Sequence, residues 1–406
     1  MKSYDLIVVG GCSAGIAAAI NAKRLNPGLK VAILEKLPRI GKKLLATGNG
    51  KCNLTNEDAL DHDYTGKAFA SYALNKYNPE KVTEFFSSLG LLCYADSCSR
   101  VYPESNTAAS VVDALRFELE RLKIDVYCDM SVTEIKKKND FTLNGVFTCK
   151  KLLIAAGGKS SPSQGADGSG YALAKMFGHS VTKLYPALVP LCASPEITKP
   201  MKGVRVRNVT LTLKGNKKIA QTSGEILFTE YGLSGIAAME LAAMAQKYID
   251  DVKCNPFTII DFMPEMTFDE LLSYLANLNK IKGFCQIDNL LTGFLPKAVG
   301  IAICKAAKLY KSDKIISDLS ERDMRSIAEK IKNFSLETTG TKGFANAQVT
   351  SGGIKTDEID EKTMQSKICG GLYFAGEIID VDGGCGGFNL QWAWASGMLA
   401  GELNEV

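Results

Sequence analysis

The chain has 406 residues, 46% hydrophobic and 23% charged, with a formal net charge of +4. That is the composition of an ordinary globular protein with room for two or three domains. Its Lys and Arg are scattered and form no basic block with interleaved aromatics, so no nucleic-acid partner is expected. No apolar run reaches the roughly 18 residues of a membrane span, so no membrane partner is expected either.

Met1 leads almost directly into the strand YDLIVV without a signal-peptide pattern, so a cytoplasmic location is expected. The stretch LIVVGGCSAGIAAAI (6–20) carries an apolar run of the kind buried on both faces of a parallel sheet, then a glycine turn and a helix of small residues. Gly10 and Gly15 fit the dinucleotide pattern G-x-G-x-x-G, with Cys12 at its middle glycine. Pro27 and Gly28 end the helix. KVAILEK is the second parallel strand and ends in Glu35, where a dinucleotide fold places the acid that hydrogen-bonds a ribose hydroxyl. The turn residues Gly10, Cys12, Ser13, Ala14 and Gly15, with Glu35 and Lys36, are the first cofactor-binding candidates. An acid at 35 favours a free 2′-hydroxyl, as in FAD or NAD, over NADP. Cys12 reads as a backbone site at the pyrophosphate, because anionic phosphate offsets the helix end that would otherwise make a thiolate.

Later segments decide for FAD. KKLLIAAGG (150–158) is a late apolar strand that brings Ala156 and Gly157 to the cofactor, and Val132 upstream is a further candidate. GGLYFAGEIIDVDGGCGGFNLQWAWASGMLAG (370–401) carries Gly376, Glu377 and Asp382, then a glycine-rich turn with Gly387 that opens a helix near Phe388 and Asn389. Amide groups at that helix start can face the flavin N1–C2=O edge, and the positive helix end would stabilise reduced flavin. No second strand–GxGxxG–helix unit follows, so a dedicated NAD(P)H domain is absent. NADH or NADPH docking transiently near the flavin, and an organic substrate reducing a flavin that oxygen reoxidises, both stay open.

Between about Pro190 and Thr350 the cofactor fold is interrupted. RNVTLTLKGNKKIAQTSGEILFT alternates as β with KGN as a turn, GIAAMELAAMAQKYI reads as one helix, and about 65 helical residues follow DFMPEM. TFDELLSYLANL and LSERDMRSIAEKIKNF open with a Thr or Ser cap and a later acid. The expected fold class is α/β: a glutathione-reductase-type FAD-binding Rossmann domain with an inserted β-barrel and helical subdomain. The expected spans are 1–190 and 350–406 for the FAD domain, 191–263 and 333–349 for the barrel, and 264–332 for the helices. The twelve cysteines include no C-x-x-C pair and read as reduced, mostly buried thiols. With only His62 and His179 in the chain, no metal site is expected, and His179 reads as a polar helix C-terminal residue.

RIGKKLLATGNGKCNLTN (39–56) resembles the signature "GRKLLxSGGGRCNxTN" of a bacterial flavoprotein family that includes aminoacetone-oxidase-like enzymes and bile-acid 3-oxo-Δ4 reductases. RVYPESNTAASVVDAL, GADGSGYALAKMFGH, GEILFTEYGLSG, VTSGGI and GLYFAGEIIDVDGGCGGFN follow in the family's order, across essentially the whole chain. The resemblance implies extended FAD with Lys42, Lys43, Asn49, Gly50, Lys51, Cys52 and Asn53 along or near it. It implies an FAD-dependent oxidoreductase acting on a small molecule, by NAD(P)H-linked reduction of a small or steroid-like enone or carbonyl. The alternatives are an oxygen-dependent amine oxidase and a non-catalytic flavin-binding redox sensor. Glu230 stands where many relatives carry His in "FTHxGLSGP", and Ile236 replaces the proline; Glu230 is the catalytic candidate, for proton transfer.

Overall fold

A computed structural model describes residues 1–311 and 313–404. The chain forms two compact units, one made of residues 1–185 and 348 onward, the other of residues 186–347.

In the first unit, β1 (Lys2–Val9) is the central strand, with Leu6, Ile7 and Val8 fully buried. After the turn at Gly10, α1 (Ser13–Leu25) leads to β2 (Val31–Leu34), which pairs parallel with β1 from Leu6↔Val31 to Val9↔Leu34. A small antiparallel sheet follows, made of β3 (Thr55–Asn56), β4 (Cys93–Ala95) and β5 (Arg100–Pro103), with α2 (Lys67–Lys76) and α3 (Pro79–Ser88) between its strands. After α4 (Ala108–Arg121), β6 (Asp125–Tyr127) extends the main sheet beyond β2. The meander β7 (Ile135–Lys137), β8 (Phe141–Leu143) and β9 (Phe147–Ile154) brings β9 parallel to β1 on its other side, and α5 (Ser169–Lys175) ends this segment.

The second unit is a closed barrel with a helical subdomain. β10 (Leu191–Ala193), β11 (Arg205–Lys214), β12 (Lys218–Thr229) and β13 (Gly232–Ser234) supply four barrel strands. The single helix expected over residues 235–249 is two, α6 (Ile236–Glu240) and α7 (Ala242–Val252). At fully buried Leu241 the amide bonds the carbonyl three residues back, on Ala238, and this tighter turn separates them. β14 (Phe257–Asp261) precedes α8 (Phe268–Lys282), α9 (Lys297–Ala306) and α10 (Glu321–Lys332). Thr267 and Ser320 cap α8 and α10 in reciprocal boxes with Glu270 and Asp323. β15 (Phe334–Thr341) closes the barrel between β14 and β10.

The chain then returns to the first unit. β16 (Leu372–Phe374) pairs parallel with β9, and α11 (Phe388–Ala400) packs on α1. That contact explains the small residues of both helices: a Cβ on Gly397 would meet the Ala14 carbonyl oxygen at 2.4 Å, and one on Gly401 that of Ala18 at 2.4 Å. His179 is buried, its Nδ1 3.0 Å from Glu358 Oε2 and its Nε2 2.7 Å from Ser366 Oγ, which makes it part of an internal polar network. Among the described residues no helix is long and apolar enough to cross a membrane.

Candidate functional site

The β1–α1 turn is the tightest point of the first unit. Gly10 has φ +112°, and a Cβ there would lie 2.4 Å from the Ala155 carbonyl oxygen at the end of β9; a Cβ on Gly15 would lie 2.0 Å from the Gly10 carbonyl oxygen. Neither position admits a side chain. Cys12 has φ −123° and ψ −163°, extended backbone open to any residue, so the missing glycine costs the turn nothing. Burial pushes the Cys12 thiol up, against hydrogen bonds from the Ser13 and Leu44 backbone, so the thiol is held protonated. α1 begins with no side-chain cap and no acid in its first turn, which leaves its positive end open to an anion. Beside it, buried Glu35 accepts the Gly11 amide at 2.8 Å on Oε2 and the Leu37 amide at 2.9 Å on Oε1. Each oxygen keeps a second acceptor position, enough for a ribose hydroxyl. Val132 is buried close by in sequence to Met130, whose amide donates to the Glu35 carbonyl.

A second cradle is built from residues 44–56 and 382–389. Gly48, Asn49, Gly50 and Cys52 all take positive φ, so the loop coils back on itself, with the Cys52 amide on the Thr47 carbonyl. Asn49 and Lys51 are exposed, whereas Cys52 and Asn53 are buried, and burial pushes the Cys52 thiol to about 12. The glycine turn is stapled to α11 by Asn389, whose Oδ1 accepts the Gly383 amide and whose Nδ2 donates to the Gly383 and Gly384 carbonyls. Gly387 has φ +101°; a Cβ there would meet the Thr55 carbonyl oxygen at 2.5 Å and Asn53 Oδ1 at 2.8 Å. Asn56 Nδ2 donates to the Gly386 carbonyl at 2.9 Å. In α11, Gln391 and Trp394 bond Thr55 and the Leu54 carbonyl, so the loop and the helix start are held as one piece.

Glu377 joins three segments. Its Oε1 accepts the Thr350 amide at 2.7 Å; its Oε2 takes the Lys43 ammonium at 2.8 Å and the Gly158 amide at 3.3 Å. Lys36 pairs with Asp167 at 2.6 Å, and Lys42 donates to the Ser163 carbonyl at 2.9 Å, so both lysines hold the 163–169 segment. Burial alone would raise the Asp167 carboxyl; Lys36 and the hydroxyl and amide of Ser169 outweigh it and bring it down to about 2. Burial pushes the Asp382 carboxyl up to about 6, against a 3.0 Å hydrogen bond from the Ser351 hydroxyl.

The structure thus gathers Gly10, Cys12, Ser13, Ala14, Gly15 and Glu35 at one cradle, and Asn53, Gly387, Phe388 and Asn389 at another, with Lys43, Gly376, Glu377, Ala156 and Gly157 in the same unit. Glu230 belongs to the other unit. It is 56% exposed in an ion pair with Lys202 at 2.7 Å, and that ammonium lowers its carboxyl. Asn56, Ser351, Thr350 and His62 also belong to these contacts, though the motifs do not single them out as candidates. The signal in the sequence for His62 is its place six residues after the 39–56 motif.

Among the described residues of the first unit, Asn53 Oδ1 and the Tyr171 hydroxyl are buried without a hydrogen-bond partner. Buried polar atoms are nearly always satisfied, and a polar edge of a cofactor in the second cradle would supply the partner that Asn53 Oδ1 lacks. An uncapped helix end, a ribose acid with acceptor capacity to spare and unpaired buried atoms fit FAD. The class this defines is a Rossmann-type flavoprotein oxidoreductase with an inserted barrel. The chain belongs to the HI0933-like family: the HI0933-like protein Rossmann domain matches residues 4–403. It is 37% identical to the 3-dehydro-bile acid delta(4,6)-reductase of Clostridium scindens over 97% of both chains. It is 28% identical to the ribosomal RNA dihydrouridine synthase of Escherichia coli, over 98% of this chain and 96% of that one. Its fold is similar to that of the 3-ketosteroid delta1-dehydrogenase of Sterolibacterium denitrificans, at TM-score 0.48 and 13% identity over 99% of both chains. The expectation that excludes nucleic acid loses its support beside the second relative. Scattered lysines and arginines can contact a few phosphates without forming a basic block.

Proposed function

We propose that this protein is an FAD-dependent reductase of a carbon–carbon double bond conjugated to a carbonyl, with NADH or NADPH as reductant and a steroid-like enone as substrate. The observation that carries this reading is the 37% identity to a bile-acid reductase along nearly the full length of both chains. Bound FAD supplies hydride transfer at the flavin N5. In this reading the N-terminus of α1 and Glu35 hold the pyrophosphate and ribose, Asn53 and the start of α11 hold the flavin end, and Glu377 keeps Lys43 and the 158–160 turn in place. The relative named for dihydrouridine supports a second substrate, uracil in RNA. Its reducible bond is also conjugated to a carbonyl, so the chemistry asked of the site is the same. Anaerobic stopped-flow tests the reading: NADH, NADPH and aminoacetone are each mixed with the oxidised protein, and the reduced protein is then mixed with 4-androstene-3,17-dione, uridine-containing RNA or oxygen. Bleaching by a nicotinamide and reoxidation by the steroid is the expected pattern. Bleaching by aminoacetone alone, with reoxidation by oxygen alone, would replace it with an amine oxidase.

A further inference from the structure

His62 is held on three sides. Its ring stacks on Phe388, the first residue of α11, at 3.6 Å between centroids with the planes 5° apart. Tyr64 packs edge-on at 5.0 Å and 90°. Its Nε2 accepts the backbone amide of Gly384 at 2.9 Å. Gly384 belongs to the glycine turn that Asn389 fixes from the other side, and two residues earlier the Asp382 carbonyl accepts the Thr65 amide. The segment carrying His62 therefore grips the turn at two points.

A backbone N–H can only donate. The nitrogen that accepts from it carries no proton, so the proton of the neutral ring lies on Nδ1. Protonating Nε2 would set N–H against N–H and break the bond to Gly384. Burial acts in the same direction and lowers the imidazole from its ordinary value; neighbouring Asp63 opposes this and Lys67 adds to it. His62 is half-buried, and among the described residues its Nδ1 has no hydrogen-bond partner. What results is a neutral donor, fixed in orientation, on the turn that opens α11.

We propose that His62 is a further catalytic residue: its Nδ1–H donates a hydrogen bond to the carbonyl oxygen of the substrate. This rests on the reading of the protein as a reductase of carbonyl-conjugated double bonds. Hydride added at the β-carbon of such a bond moves an electron pair onto the carbonyl oxygen, and the α-carbon then takes a proton from water. His62 gains and loses no proton in this; it stabilises the oxygen where charge develops. A neutral imidazole serves as such an electrophile because it is already uncharged at working pH and is not tied up by an anion. The role is the same for a steroid enone and for uracil.

With two histidines in the chain, imidazole ¹⁵N NMR of the FAD-loaded protein resolves both, and the His179 signals are assigned by difference in His62→Phe. The expected result is His62 as the neutral Nδ1–H tautomer at pH 7, with an Nδ1 shift on adding 4-androstene-3,17-dione. His62→Phe keeps the stack on Phe388. It also leaves the Gly384 amide without its acceptor, so bleaching by nicotinamide serves as the control for the turn, and the ratio of steroid reoxidation to that bleaching should fall about 10²-fold, the scale of losing one such donor. An Nε2–H tautomer or an imidazolium at pH 7 overturns the proposal on the wild-type protein alone. Steroid binding seen in the flavin spectrum without an Nδ1 shift overturns it while leaving the reductase reading intact. No binding of either the steroid or uridine-containing RNA overturns the reading, and the proposal with it.

Discussion

The Gly11 amide donates to Glu35 Oε2 across 2.8 Å, tying the glycine turn to the end of the second strand. The acid is thereby aimed before any ribose arrives. Glu35→Ala removes both the aim and the acceptor. It should weaken FAD binding by roughly 1.5–3 kcal/mol, the scale of a hydrogen bond to a charged group. Titration of the flavin-free protein with FAD, followed by flavin fluorescence, measures it; unchanged affinity would remove Glu35 from the ribose site.

Glu377 serves two backbone amides and one lysine, and the three contacts differ in value. Glu377→Ala leaves the Thr350 and Gly158 amides without their acceptor, at a cost of about 1–3 kcal/mol for a buried unsatisfied donor. Lys43→Met leaves both amides bonded and should cost less. Urea denaturation ranks the two variants. Equal losses would mean that the ion pair, at 2.8 Å and with both side chains about one-fifth exposed, is the main stabilising contact.

The Rossmann unit was legible in the sequence because its determinants are local: an apolar strand, two glycines that admit no Cβ, a small-residue helix and an acid on the next strand. What held the second cradle together was not legible. His62 meets Gly384 across 322 positions, Asn56 meets Gly386 across 330, and Thr55 meets Gln391 across 336. No periodicity in one segment announces a partner that far along the chain. Charge was equally silent about direction: Lys36, Lys42 and Lys43 read alike as candidates for the cofactor, yet their partners are Asp167, the Ser163 carbonyl and Glu377. Cys12 departs from the motif's middle glycine, and a pattern of letters does not show that its φ is negative.

The Lys202 ammonium lowers the Glu230 carboxyl from its ordinary acidic range and so favours the carboxylate. As a carboxylate it can accept a proton as a base but has none to give as an acid. The pH–rate profile of Glu230→Gln should therefore superimpose on that of the wild type between pH 5.5 and 8. Loss of an ionisation inside that window would show that Glu230 does carry the proton.

Cys12→Gly and Cys12→Ser should both retain FAD and most activity, since residue 12 contributes backbone at an extended φ. Cys12→Leu adds bulk beside a packed core and should lose flavin, with overpacking on the order of 1–3 kcal/mol. The flavin-to-protein absorbance ratio reads all three. Burial raises the thiol, so iodoacetamide at pH 7 should leave Cys12 unmodified. Cys12→Ser with full flavin and no turnover would instead identify a catalytic thiol.

Asp382 sets a pH dependence whose sign is the reverse of the usual carboxylate. An exposed aspartate titrates near 3.9, whereas burial, helped by Asp380 and Glu377 against the Ser351 hydroxyl, brings this one to about 6. Between roughly pH 4 and pH 6 the folded protein holds a proton that the unfolded chain has released. Stability contributed by this group therefore falls as pH rises through that window, and above pH 6 the penalty is complete, at about 3 kcal/mol for a shift of about two pH units. Asp382→Asn keeps an acceptor for Ser351 and cannot ionise. Urea denaturation of the two flavin-free proteins should show the variant more stable by up to about 3 kcal/mol at pH 7.5, with the advantage shrinking as pH falls and gone near pH 4. A variant that is less stable by the same amount at every pH would show that the carboxylate is held by contacts the amide cannot replace, and that burial is not what governs its proton.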